Sequence, residues 1–80
     1  MAQPAADLLD YLARGLVESP DAVRVETVER DGALVLLLHV AREDIGQVIG
    51  RGGRVVRALR AVLRASALRT ERRILLEIVE

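Results

Sequence analysis

The sequence predicts an α+β domain, with three helices on one face of a three-stranded sheet. Three observations carry this. Apolar residues recur at helical spacing near both ends of the chain, they alternate or run together at strand spacing in three other places, and a glycine-rich break divides the second helical region. With 80 residues there is room for one domain over 1–80, its packed part running from about residue 7 to 79.

Leu8, Leu9, Leu12 and Leu16 recur at helical spacing, with Tyr11 among them, while Asp7, Asp10, Arg14 and Glu18 fall between. A first amphipathic helix is expected, with Tyr11 buried. It should stop near Ser19, because Pro20 disfavours helical geometry in the residue before it. Val23 to Thr27 alternates apolar and polar, and Leu34 to Val40 is a nearly continuous apolar run, so two strands follow. Between them Arg30-Asp31-Gly32-Ala33 holds an Asp-Gly pair, which accepts the positive φ of a tight hairpin and makes the strands antiparallel neighbours. Val35 and Leu37 alternate onto the face opposite Leu34, Leu36 and Leu38, the face that three helices would leave uncovered.

Glu43 and Asp44 put negative charge where a short helix would begin, Ile45, Val48 and Ile49 supply its buried side, and Gly50 interrupts it. Val55, Val56, Leu59, Val62 and Leu63 then return at spacings of three and four, giving a longer helix to about Leu68. Ile74, Leu76 and Ile78 alternate with Leu75, Glu77 and Val79 in a closing strand. The order is αββααβ.

Composition narrows the function. There is no cysteine, so no disulfide framework or Cys-ligated zinc can exist, which suits a cytoplasmic setting. No leader pattern opens the chain, and the longest apolar run, Ala33 to Leu38, is too short for membrane insertion. The formal net charge is zero, but it is unevenly spread: residues 1 to 41 hold three Arg against seven acids, and residues 42 to 73 hold nine Arg against three. A chain with no net charge can still show a polyanion a basic face, because screening limits each charge to about 10 Å. All twelve basic residues are Arg, which reads as coding bias, since Arg14 and Arg24 lie outside the basic segment.

No catalytic constellation stands out. His39 is the only histidine and reads as a strand-surface residue, and the adjacent acids Glu43 and Asp44 diverge by about 100° on a helix. A non-catalytic chain without cofactor is expected. The chemistry lies in Gly50-Arg51-Gly52-Gly53-Arg54, where backbone bare of Cβ atoms meets the start of a helix, the natural setting for a phosphate. Arg57, Arg60 and Arg64 continue along that helix, where an ordinary solvated face explains them as well as ligand contact does. A nucleotide-hydrolase loop is excluded, because no Gly-Lys-Ser/Thr follows and the loop joins helix to helix.

Val48-Ile49-Gly50-Arg51-Gly52-Gly53-Arg54, an apolar pair followed by Gly-x-x-Gly between two helices, resembles the signature of KH domains, whose GXXG loop clamps about four nucleotides. The element order resembles the type II, or bacterial, KH arrangement. Over residues 7 to 79 the chain is similar to the single-domain KH RNA-binding proteins of bacteria, the KhpA family. The resemblance implies single-stranded RNA held on its backbone by Gly50, Arg51, Gly52 and Gly53, and the adjoining Arg54 and Arg57 join them as candidate RNA contacts by their position. It also implies bases resting against Ile45, Val48, Ile49 and the strand Leu34 to Val40, with that strand's backbone reading them. It further implies a homodimer, or a heterodimer with a larger KhpB/Jag-type KH protein, and a role as RNA chaperone or post-transcriptional regulator linked to cell division and envelope growth. A reading of a different kind keeps the chain as a dimerisation or scaffold subunit whose partner holds most of the RNA.

Overall fold

In the computed structural model, which describes residues 4–67 and 72–79, helix α1 begins at Pro4, whose fixed φ suits a first helical turn, and runs to Leu16. A single 3-10 turn, Pro20–Ala22, leads into β1 (Arg24–Arg30), which turns back as β2 (Ala33–His39). A second 3-10 turn, Arg42–Asp44, precedes the short helix α2 (Ile45–Ile49). A third, Arg51–Gly53, joins α2 to α3 (Arg54–Ala67), and β3 (Ile74–Val79) closes the chain. This is the αββααβ order read from the sequence; Leu68, the expected end of α3, lies outside the described residues.

The β1–β2 hairpin is antiparallel, with Arg30 opposite Ala33 and only Asp31 and Gly32 in the loop, at φ 52° and 79°. Both central residues have positive φ, which fits the twist of the flanking strands. β3 pairs in parallel with the other edge of β2, Leu36 opposite Leu76, so β2 is the central strand.

One face of this sheet carries the core. Leu34, Leu36 and Leu38 of β2 and Leu76 of β3 are buried against Leu9 of α1, Val48 of α2, and Leu59 and Leu63 of α3. Fully burying side chains of this size stabilises by about 1.5–3 kcal/mol each, and the chain has no disulfide to add to it.

Two expectations about burial need correction. Tyr11 is 75% exposed, because the buried stripe of α1 runs Ala5–Leu9–Ala13, about 200° around the helix from it. On the sheet face without helices, Val35 is fully buried and Leu37 half-buried. Val35 sits between Val28 and Leu75, while Leu37 sits between Glu26 and Glu77. The Arg30–Glu77 ion pair, 3.5 Å, joins the two outer strands and so must cross the central one. His39, also on this face, meets Glu26, which Arg24 reaches at 3.4 Å. Ion-paired side chains thus flank Val35 and Leu37 on this face, while Leu75 beside Val35 stays exposed.

Candidate nucleic-acid interface

α2 is barely more than one turn long, too short to hold itself together, so its position depends on what anchors it. Below, Val48 is fully buried in the core. At its start Asp44, 2% exposed, is the buried charged residue among those described. Its carboxylate does not cap α2; Oδ1 accepts the Glu18 N–H at 3.2 Å and Oδ2 the Ser19 N–H at 3.1 Å. α1 ends at Leu16, three residues short of the expected Ser19, and the amides of Glu18 and Ser19 beyond it are turned toward Asp44. The sequence shows acids at a helix start, whereas the folded chain uses Asp44 to tie the α1 exit to the base of the glycine loop.

At the other end, Gly50 N–H closes α2 on the Gly46 carbonyl at 2.9 Å, and the backbone then swings to φ 76°, ψ 170°, a region essentially reserved for glycine. A Cβ there would stand 2.8 Å from the Val55 nitrogen and closer still to Val55 Cγ2. Gly50 is therefore demanded by the fold. Gly52 differs: at φ 63° it takes a left-handed conformation, yet a Cβ built on it meets nothing within 4 Å. Its bare face is turned to solvent, where another backbone has room to approach.

The loop is braced from within. Gly53 N–H donates to the Gly50 carbonyl at 3.1 Å and Arg54 N–H to the Arg51 carbonyl, so two amides expected to meet an anion are already engaged. Arg57 Nη1 donates to the Gly52 carbonyl at 2.8 Å, fixing a guanidinium against the loop. Arg51 and Arg54 are exposed beside it and, among the described residues, form no ion pair.

The expected apolar wall divides. Ile49 is 37% exposed, Ile45 is half-buried against the core, and Val48 is withdrawn from the surface, since it faces the sheet and not the loop. The strand Leu34 to Val40 is also withdrawn: Leu34, Leu36, Leu38 and Val40 are core residues, and β2 is hydrogen-bonded on both edges. A central strand has no free ladder with which to read a base, so this expectation is overturned. β3 lies under α3 and, among the described residues, is paired on one edge only.

Elsewhere on the helical side, α1 and α3 leave between them an apolar groove of about 650 Å³, lined by Tyr11, Leu12, Leu16, Val55, Leu59 and Val62 among others. Tyr11, Leu16 and Val62 are among its exposed apolar side chains. The sequence concealed this groove by suggesting that Tyr11 faced inward. No helix among the described residues is long and apolar enough to cross a membrane.

Residues 6–78 match the family model described as KhpA/KhpB, KH domain. Curated relatives agree in length and likeness. The RNA-binding protein KhpA of Treponema pallidum (strain Nichols) is 46% identical over 74 residues, 92% of this chain and 92% of its own. That of Clostridium acetobutylicum (strain ATCC 824) is 42% identical over 72 residues, 90% of this chain and 96% of its own. That of Aquifex aeolicus (strain VF5) is 39% identical over 74 residues, 92% and 94% of the two chains.

Proposed function

The chain belongs to the KhpA/KhpB KH-domain family, which is not a family of enzymes, and from this premise we propose that it binds single-stranded RNA without catalysis, gripping the backbone at Gly50–Gly53. The observation that carries the reading is the clustering of cations around exposed glycine backbone: Gly52 has nothing within 4 Å of its Cβ position, Arg51 and Arg54 stand exposed beside it with no ion pair among the described residues, and Arg57 lies on its carbonyl. In this reading Arg51 and Arg54 supply charge to the phosphates, and Arg57 holds the loop in shape through the Gly52 carbonyl. Ile49, with the edge of Ile45, supports the bases, and the free edge of β3 takes the reading role that β2 cannot fill.

The setting we infer is the bacterial cytoplasm, as an RNA chaperone or post-transcriptional regulator linked to cell division and envelope growth. One KH groove touches few nucleotides and binds weakly, so a second KH chain raises affinity by effective concentration. A like copy or a larger KhpB/Jag-type protein fits this role. The groove between α1 and α3 favours it, because Tyr11, Leu16 and Val62 are left for a partner to cover. The competing reading makes the chain chiefly a dimerisation subunit, with RNA held by the partner.

Fluorescence anisotropy on labelled single-stranded RNA separates the two. The Arg51→Asp, Gly52→Asp double variant should lose at least tenfold in affinity and flatten the log–log salt slope by about 0.7 for each phosphate contact removed, with its size-exclusion volume unchanged and its melting curve still cooperative, lowered only by the strain of a side chain at the positive φ of residue 52. Equal binding by native and variant chains would instead support the scaffold reading.

A further inference from the structure

Between Ile45 and Thr70 the sequence holds Arg51, Arg54, Arg57, Arg60, Arg64 and Arg69 and no aspartate or glutamate. Coding bias explains arginine in place of lysine. It does not explain a long helix without one acid, since solvated helices ordinarily intersperse opposite charges three and four residues apart.

The placement of these arginines is as informative as their number. Arg57 lies against the Gly52 carbonyl, so the row starts on the loop itself. Arg60 and Arg64 follow within about 60° of arc on the same side of α3, and Arg64 lies about 10 Å along the axis from Arg57. Both are exposed, and among the described residues neither forms an ion pair. Like charges at these spacings repel and weaken the helix that carries them. The helix dipole accounts for a cation in the last turn, which covers Arg64 but not Arg60.

We propose that Arg60 and Arg64 form a second phosphate-binding segment, which holds the RNA backbone after it leaves the glycine loop. The proposal rests on the loop being an RNA clamp. It extends the site from about four nucleotides by roughly two, because the row adds about 10 Å of cationic surface in line with the loop. RNA is the occupant favoured here because the row is continuous with the loop, and an extended polyanion can follow both.

Affinity measured against RNA length tests it. Single-stranded RNAs of about 4, 6, 8 and 12 nucleotides are titrated by anisotropy into the native chain and into Arg60→Gln, Arg64→Gln, with circular dichroism melts confirming that both fold. The native chain should tighten with length beyond the span of the loop. The variant should match it on the shortest RNA, fall roughly tenfold behind on the longer ones, and lose about 1.4 from its salt slope there, about 0.7 per arginine. Equal weakening at every length, or none, overturns the proposal. So does a variant that binds RNA normally but elutes as a smaller species, which would assign the row to a protein partner. A native chain that binds the shortest RNA without gaining from length overturns the second segment alone, whereas one that binds no RNA at all overturns the clamp with it.

Discussion

Arginine does two different jobs in two parts of this molecule. On α1, the sheet and its flank, Arg14, Arg24, Arg30 and Arg72 each meet a carboxylate: Asp10 at 3.0 Å, Glu26 at 3.4 Å, Glu77 at 3.5 Å and Glu29 at 2.8 Å. Arg14 also donates to the Pro20 carbonyl at 3.0 Å and the Val23 carbonyl at 3.3 Å, pinning the turn after α1. On the loop and α3, Arg51, Arg54, Arg60 and Arg64 meet no carboxylate among the described residues. A chain with no net charge thus spends its acids on one side and leaves the other basic, and net charge says little about what such a chain binds.

The comparison sharpens if each half responds to substitution in its own way. The largest effect is expected at the hinge of the basic half. Gly50→Ala forces a Cβ into backbone essentially reserved for glycine and against Val55, and should cost about 3 kcal/mol, read by urea unfolding; Gly52→Ala, with open space around it, should cost no more than about 1–2 kcal/mol. Near-equal costs would mean that the loop has no structural and ligand-facing ends to tell apart.

Next comes Asp44→Ala, which orphans the Glu18 and Ser19 amides. A loss of about 2–3 kcal/mol is expected, seen as a melting temperature lower by roughly 10–20 °C. An unchanged melt would show that the tie contributes nothing to holding α2. The smallest effect belongs to the sheet. Arg30→Gln breaks an exposed pair and should change stability by at most about 0.5 kcal/mol and RNA affinity by less than twofold. If it weakened RNA binding as much as the loop substitutions, the division of arginines would collapse.

Much of the fold was legible because its signals are local. The Asp31-Gly32 turn, the apolar run of β2 and the glycine break each announce themselves within a few residues. Sheet order was not local. The hairpin identified β1 as one neighbour of β2, but nothing in the run from Leu34 to Val40 disclosed that β3 would take the other edge and remove β2 from the site. Tyr11 was misplaced because leucines suggested the buried stripe of α1, while the side chains that fit closest to the sheet include Ala5 and Ala13. Asp44 was read as a helix-start charge because its partners lie 25 and 26 residues away. Within the glycine motif the residue types were plain, and only backbone angles could separate Gly50 from Gly52.

The exposed position of Tyr11 also decides how the protein can be observed. It is the sole aromatic residue in the chain, and it stands on the α1–α3 groove and on no part of the loop. All intrinsic ultraviolet fluorescence therefore comes from one phenol on the exposed apolar groove where we propose that a partner docks. Under that proposal the signal changes on association, whereas RNA bound at the loop would leave it unchanged and would have to be followed through a label on the RNA.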